Sequence, residues 1–498
     1  MARNCVNLSR FKKEVDMALS KAEINTRPQI DQELVSIAEY TAKTSIQSKL
    51  ALETARYCLM DAIGCAILAL QYPACTKLLG PIVPQSIVPD GARVIGTNYV
   101  LDPIMAAFNI GTMIRWLDFN DTWLAAEWGH PSDNLGAILA VSDYVSRQNL
   151  AQSKSPLTVH DVLIAMVKAH EIQGIIALEN SFNRLGYDHV FLVKLASTAL
   201  STFLLDGNIN EIANGLSQAF VDGAVLRTYR HAPNTGSRKS WAAGDATSRG
   251  VRLAWLTMQG ELGYPSALTA SKWGFYDVIM GGKALKLNRP FGSYVMENVL
   301  FKIAYPAEFH AQTAVECAIL LHPQISNRLE EIEKIVISTQ ESAIRIISKS
   351  GALYNPADRD HCLQYMVAIA LIYGELTAEY YEDVFAQNPV IDQLRHKMLV
   401  QEDQQFSKDY LDSNKRSIAN AIQIYFKDGT KTNKITVEFP IGHPRRRDEG
   451  LPLLFQKFEN NMQTTFSDEK IATLISLFKD EQLLNWTVPE FIDLFVTN

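Results

Sequence analysis

Cysteine is sparse. Six thiols at positions 5, 58, 65, 75, 317 and 362 among 498 residues are too few and too scattered for a disulfide framework, and no two have the gap that clips zinc or an iron–sulfur cluster. They read as reduced thiols of a cytoplasmic protein. Charge of one sign is also lacking: the formal net charge is -7, with acids and bases interspersed, so no basic field exists to gather nucleic acid. The most apolar window, residues 58–70, holds Asp61 and falls short of the ~20 residues of a membrane span, so no membrane partner is expected. The start, MARNCVNLSRFKKEVD, lacks an apolar signal core and carries Glu14 and Asp16, unlike a transit peptide.

Several catalytic signatures are missing too. No G-x-G-x-x-G follows a strand, and the nearest approach to a Walker loop, NTGSRKS at 234–240, has Arg238 where glycine should precede the lysine. His170-Glu171 has no second histidine at zinc-protease spacing, and no serine lies in a G-x-S-x-G elbow. No bound metal is therefore expected.

What is present is an ordinary globular composition, 47% apolar and 20% charged, which excludes disordered, collagen-like and coiled-coil classes. The length predicts about three domains or one large core with insertions. From Glu33 to about Arg147, and on through LIAMVKAHEIQGIIALE, LVKLASTALSTFLL and SRGVRLAWLTMQGEL, apolar residues recur at helical spacing among many alanines and glycines. Near residue 300 the texture changes. KIVISTQ alternates, and IANAIQIYFKDGTKTNKITVEFPIG forms two strand-like runs around an Asp-Gly turn. HCLQYMVAIALIYGELT and the stretch after Tyr381 read as helical, and helical period returns after HPRRRDEG. The expectation is a mainly α protein: a helical domain at 1–297, an inserted smaller α+β lid at 298–445, and a return to the helical domain at 446–498.

Two polar segments interrupt the apolar helices. In RWLDFNDTWLAAEWGHPSDNLGAILAV, Arg115, Asp118, Asp121, Thr122, Glu127, His130, Ser132 and Asp133 cluster before an apolar run, with Ser132 or Asp133 predicted as the helix cap. Such a cap sets His130 near the positive end of a helix, where a bound carboxylate is favoured. In DGAVLRTYRHAPNTGSRKSWAAGDATSRG, Arg227, Arg230, His231, Arg238, Lys239 and Arg249 surround a hydroxyl-rich loop suited to carboxylates. The bland alternatives are capping and ion-pair residues in the first segment and a solvated basic turn in the second. FKIAYPAEFHAQTAVE adds Lys302, Tyr305, Glu308 and His310, and NPADRDHCLQYM adds Arg359, His361, Gln364 and Tyr365.

DFNDTWLAAEWGHPSDNLG, RTYRHAPNTGSRKSWAAGDATSR, GYPSALTA..WGFYDV, FGSYVMENVLFK..YPAEFH.QTAVE and NPADRDHC.QYMVAI resemble the MmgE/PrpD family, from about residue 27 to the end. The resemblance implies a cofactor-free lyase that dehydrates 2-methylcitrate to 2-methyl-cis-aconitate in propionate degradation. It also implies a discontinuous helical domain topped by a lid, a small tricarboxylate as partner and a homodimer. From the related cis-aconitate decarboxylases it carries site roles to Asp118, Thr122, His130, Lys239, Lys302 and Tyr365. The longer stretch holding Trp123 and Trp128, and Glu308 where a decarboxylase histidine aligns, favour the dehydrating branch.

On this reading His130 transfers the proton and Asp118 orients or charge-tunes it. Lys239, Lys302 and Arg238 clamp carboxylates, and Tyr365 or His361 is the candidate acid. Thr122, Ser240, Arg230, Glu308 and His310 complete the expected substrate-binding set. Which group is base and which acid stays open. The alternatives are a decarboxylase or broader tricarboxylate lyase, and a non-catalytic carboxylate-binding protein.

Overall fold

The computed structural model describes residues 26–223, 225–412 and 414–497; Cys5, Glu14 and Asp16 lie outside them. The fold is mainly α. The first helices are α1 (Gln32–Lys43), α2 (Lys49–Ala69), α3 (Pro103–Arg115), α4 (Leu135–Ala151), α5 (Val159–Glu179), α6 (Val190–Leu204), α7 (Ile209–Val221) and α8 (Arg238–Met258). Their starts follow local chemistry: Ser48 caps α2, Asp102 caps α3 ahead of Pro103, and reciprocal capping boxes close α5 through Thr158 and Asp161 and α7 through Asn208 and Glu211.

Small residues let these helices meet backbone to backbone. A Cβ on Gly111 of α3 would lie 3.0 Å from the Gly244 Cα of α8, and one on Gly244 would lie 2.5 Å from the Phe108 carbonyl oxygen. That close approach brings Arg115, the last residue of α3, and Lys239, near the start of α8, to one end of the pair.

After residue 300 come α9 (Gln312–Ile325), β1 (Ile332–Thr339), α10 (Leu363–Tyr373), β2 (Met398–Glu402), β3 (Asn420–Phe426) and β4 (Ile435–Val437). The sheet order is β2-β1-β3-β4, with β2 parallel to β1 and the other pairs antiparallel. The Asp-Gly turn is there: Phe426 N–H donates to Thr430 O across a three-residue loop in which Gly429 has φ +83°, a left-handed position glycine occupies at little cost. The stretch after Tyr381 is helical at Asp383–Ala386, Pro389–His396 and Gln404–Leu411, but Met398–Glu402 within it is a strand and corrects the all-helical reading. On this edge strand Met398 and Val400 are partly buried and alternate with exposed residues, but exposed Leu399 is apolar, so the residue types do not show the alternation. A second difference is the two-residue antiparallel pair Ala92–Arg93 with Val100–Leu101 inside the stretch read as helical.

Two large apolar clusters result, beside a small one of Val190, Val193, Ala242 and Ala246. One joins the first helices to α11 (Arg447–Met462) and α12 (Asp468–Lys479), with Leu454, Phe458, Ile471 and Phe478 packed beside Ile63 and Ile67. The other runs from Leu300 to Phe426 and takes in Leu124 and Trp128 from the first polar segment. Between the clusters Phe301 N–H donates to Gly442 O, an approach so close that a Cβ on Gly442 would sit 1.8 Å from the Phe301 carbonyl oxygen. Lys302 is thereby fixed at the seam. Among the described residues no helix is long and apolar enough to cross a membrane.

Candidate active site

Asp118 is the hub of a buried charge cluster. Its φ of +51° places the backbone in the left-handed region, a strain that aspartate tolerates better than most residues and that concentrates at functional sites. Arg115 Nη1 lies 2.5 Å from Asp118 Oδ1, and Lys302 Nζ donates to the same oxygen and, at 2.7 Å, to the Asp118 carbonyl. His130 Nε2 stands 3.6 Å from Oδ1 and His361 Nε2 3.8 Å from Oδ2. Burial alone would raise the Asp118 carboxyl, but the Arg115 guanidinium and the Lys302 ammonium outweigh it and hold it well below the usual carboxylate range.

The second half comes from α8 and the turn before α10. Lys239 Nζ lies 2.5 Å from Asp360 Oδ2 and 3.3 Å from His361 Nδ1, while His361 Nδ1 is 3.0 Å from Asp360 Oδ1. Burial lowers Lys239 and Lys302, and burial with the nearby Lys239 charge pushes His361 down to about 4. Three cations thus face two carboxylates, Asp118 and Asp360. A cavity of about 330 Å³ reaches this cluster at Asp360, and its lining also includes Ser240, Tyr381, Trp116, Leu117 and Ala357.

His130 sits on a strapped loop. Trp123 and Gly129 exchange backbone hydrogen bonds, and Thr122 pairs with Leu300 at 2.7 and 2.9 Å, tying the loop to the segment that carries Lys302. His130 Nδ1 lies 2.7 Å from the Asp121 carbonyl oxygen, with Thr122 Oγ1 at 3.3 Å. A carbonyl only accepts, so Nδ1 carries the hydrogen, and in the neutral ring Nε2 presents a bare lone pair on the Asp118 side. Burial, then Arg115 and Lys302, hold His130 well below its ordinary value, which keeps the ring neutral.

The MmgE/PrpD N-terminal domain model matches residues 35–288, and the MmgE/PrpD C-terminal domain model matches residues 305–480. The chain belongs to the MmgE/PrpD family. It is 57% identical over 482 residues to a Salmonella typhimurium 2-methylcitrate dehydratase, covering 96% of this chain and 100% of the relative. An Escherichia coli K12 2-methylcitrate dehydratase is 58% identical over 95% of this chain and 99% of its own length. A Saccharomyces cerevisiae protein named probable 2-methylcitrate dehydratase is 53% identical over 96% of this chain and 95% of its own length.

For this MmgE/PrpD chain the structure gathers Asp118, Thr122, His130, Lys239, Lys302 and His361, with Ser240 on the cavity wall. Glu308 and His310 abut them: Glu308 Oε1 lies 2.8 Å from His310 Nδ1, and the Glu308 carboxyl is raised by burial but lowered further by the His310, His361 and Lys302 charges. Other expected residues are placed elsewhere. Arg238 turns outward to Asp245 at 2.9 Å and lies 4.3 Å over the Trp241 ring. Arg230 is bound by both oxygens of Asp188, a layer behind His130, whose ring meets His189 edge-on at 5.6 Å. Tyr365 points into the second apolar cluster and donates to Tyr380 O at 2.7 Å. Ser132 and Asp133 do not cap a helix, because their side chains bond Asp121 and Asn120 instead.

Sequence reasoning assigned no role to Arg115, and it missed Asp360 and Tyr381. Asp360 was legible as the neighbour of His361, whereas Tyr381 belongs to no polar motif. Its hydroxyl is buried with no protein partner among the described residues, and burial with the nearby Asp360 charge holds the phenol well above its usual range, so it keeps its proton. Tyr381→Phe is expected to lower kcat on the order of 10²-fold, the scale of a lost proton donor. Tyr365→Phe should leave kcat within about threefold and lower stability by about 1 kcal/mol. Steady-state kinetics and thermal unfolding of both variants check this pair.

Proposed function

We propose that this chain is a cofactor-independent hydro-lyase that converts 2-methylcitrate to 2-methyl-cis-aconitate in propionate degradation, with side activity on citrate or cis-aconitate. The observation that carries the reading is the bare Nε2 of a neutral His130 beside Arg115 and Lys302, in a buried charge cluster whose Lys239–Asp360 pair reaches the cavity through Asp360. His130 Nε2 takes the proton from the carbon α to a carboxylate. The electron pair forms the double bond, and the tertiary hydroxyl leaves with the Tyr381 proton as water. The cycle closes when His130 gives up its proton to solvent and the Tyr381 phenolate takes one back from it.

Charge that builds on the substrate carboxylate during proton removal is met by fixed cations in a water-poor site, where such interactions are strongest. Asp118 holds Arg115 and Lys302 in place and keeps the neighbourhood from becoming so positive that a trianion could not leave. Trp116, Leu117 and Ala357 offer an apolar wall for the substrate methyl group. We further propose that residues 298–445 act as the lid, and that the enzyme works in the cytosol as a homodimer. A particle of only about 56 kDa by light scattering would overturn the dimer.

A decarboxylase remains the alternative, since the same cations would bind cis-aconitate. Product analysis separates the two: 2-methyl-cis-aconitate and water are expected, and itaconate with released CO2 would overturn the dehydratase reading. Because the chain supplies its own three cations in place of a Lewis acid, activity is expected to survive exhaustive EDTA treatment and exposure to air. Loss of turnover restored by ferrous iron would contradict this.

A further inference from the structure

Behind His130 lies a second buried cluster that the chemistry above does not use. Sequence spacing foresaw no ligand group, yet the fold brings Cys58 of α2, Asp121 and His170 of α5 together with their polar atoms within 4.8 Å of one another. Asp121 Oδ1 accepts from Ser132 N–H at 3.0 Å and Ser132 Oγ at 2.7 Å, so it clips together the two ends of the loop that carries His130. Asp121 Oδ2 faces His170 Nε2 at 2.8 Å, with the Cys58 thiol at 3.9 Å. His170 Nδ1 lies 2.9 Å from the Met166 carbonyl.

The hydrogen count decides the charge. The Met166 carbonyl can only accept, so His170 Nδ1 bears a hydrogen. A carboxylate already taking two donors on its other oxygen also accepts, so Nε2 bears one as well. We infer that His170 is an imidazolium paired with Asp121, and that this ion pair is a positioning device for His130. It fixes the loop ends, and it cancels the Asp121 charge beside the peptide carbonyl that holds His130 Nδ1–H.

A metal on the same three residues fits less well. Both Asp121 oxygens are already occupied, and burial followed by the Asp121 charge raises the Cys58 thiol well above its ordinary value, so it stays protonated. Around the pair stand Asp61, itself bound to Lys457 at 2.6 Å, together with Asp133 and Arg447. Around His130 stand Arg115, Lys302, Asp118 and His189. None of these supplies a counter-charge to Asp121 at hydrogen-bond distance.

The inference rests on His130 as the base, and its test has one arm that does not. With histidine labelled with nitrogen-15, subtraction of the His170→Gln spectrum picks out His170 among the ten histidines. Both its nitrogens are expected to carry hydrogen in the resting protein. A neutral ring there, or stoichiometric zinc lost in Cys58→Ser, would overturn the inference whatever the activity.

In the second arm, His170→Gln leaves the Asp121 anion uncompensated near His130, which favours imidazolium there. The acid limb of kcat/KM should move up by about one pH unit or more. The double variant Asp121→Asn/His170→Gln removes that anion and should return the limb to its wild-type position, although kcat stays lowered on the order of 10- to 100-fold, as for other supporting partners of a working histidine. A limb that does not move in the single variant, in a chain whose His170 is an imidazolium, would contradict the positioning role.

Discussion

His130→Asn is expected to lower kcat on the order of 10³-fold while leaving the protein folded. Asparagine can still donate to the Asp121 carbonyl from the place of Nδ1, so the loop keeps its shape and only the Nε2 lone pair is lost. A positioned general base contributes 10²- to 10⁴-fold, so the expected loss sits in the middle of that range. The pH dependence follows from the same group. Burial, Arg115 and Lys302 depress His130, so its basic form persists as pH falls. The kcat/KM of the parent enzyme should therefore stay level from pH 8 down through about 6.5, the ordinary histidine value, and drop only below it. A limb centred above 6.5 would mean a different base.

Lys239→Ala is expected to lower kcat on the order of 10²- to 10³-fold, the effect of removing one preorganised group that meets developing charge. Lys239 is also half of a buried ion pair with Asp360. Its loss alone leaves a buried carboxylate uncompensated, at a cost of about 3–5 kcal/mol. The double variant Lys239→Met/Asp360→Asn removes both charges and should regain most of that stability without regaining kcat. Lys239→Arg should not restore turnover, because a planar fork cannot take the place of a compact ammonium in this packed position. Kinetics with circular dichroism and thermal unfolding check all three. A folded alanine variant with near-normal kcat would show that Lys239 serves only the ion pair with Asp360.

The contrast between Lys239 and Arg238 shows what sequence can and cannot deliver. Both were read from one basic run as carboxylate clamps, but adjacent residues on a helix point about 100° apart, so only one can enter the site. Since α8 begins at Arg238, the fold chooses the lysine. The tyrosines repeat the lesson: Tyr365 looked catalytic beside Gln364, but the buried face of α10 turns it into the core, and Tyr381, on a short turn without motif, takes the cavity wall.

The long helices were legible because their apolar spacing spans many turns, and the Asp-Gly hairpin because its turn chemistry is local. The edge strand Met398–Glu402 was not, since its pairing with β1 is made by backbone across more than fifty residues and leaves little pattern in its side chains. The Asp121–His170 pair was invisible for the same reason, its members standing 49 residues apart.

The central claim is that His130, in its cationic surroundings, dehydrates 2-methylcitrate without help from a cofactor. Its most direct test is to mix the purified, EDTA-treated protein with 2-methylcitrate and follow ultraviolet absorbance of the new double bond, with His130→Asn in parallel. Steady growth of absorbance with the parent enzyme and almost none with the variant is the result expected. A folded parent protein that leaves 2-methylcitrate unchanged, or a variant as active as the parent, would contradict it.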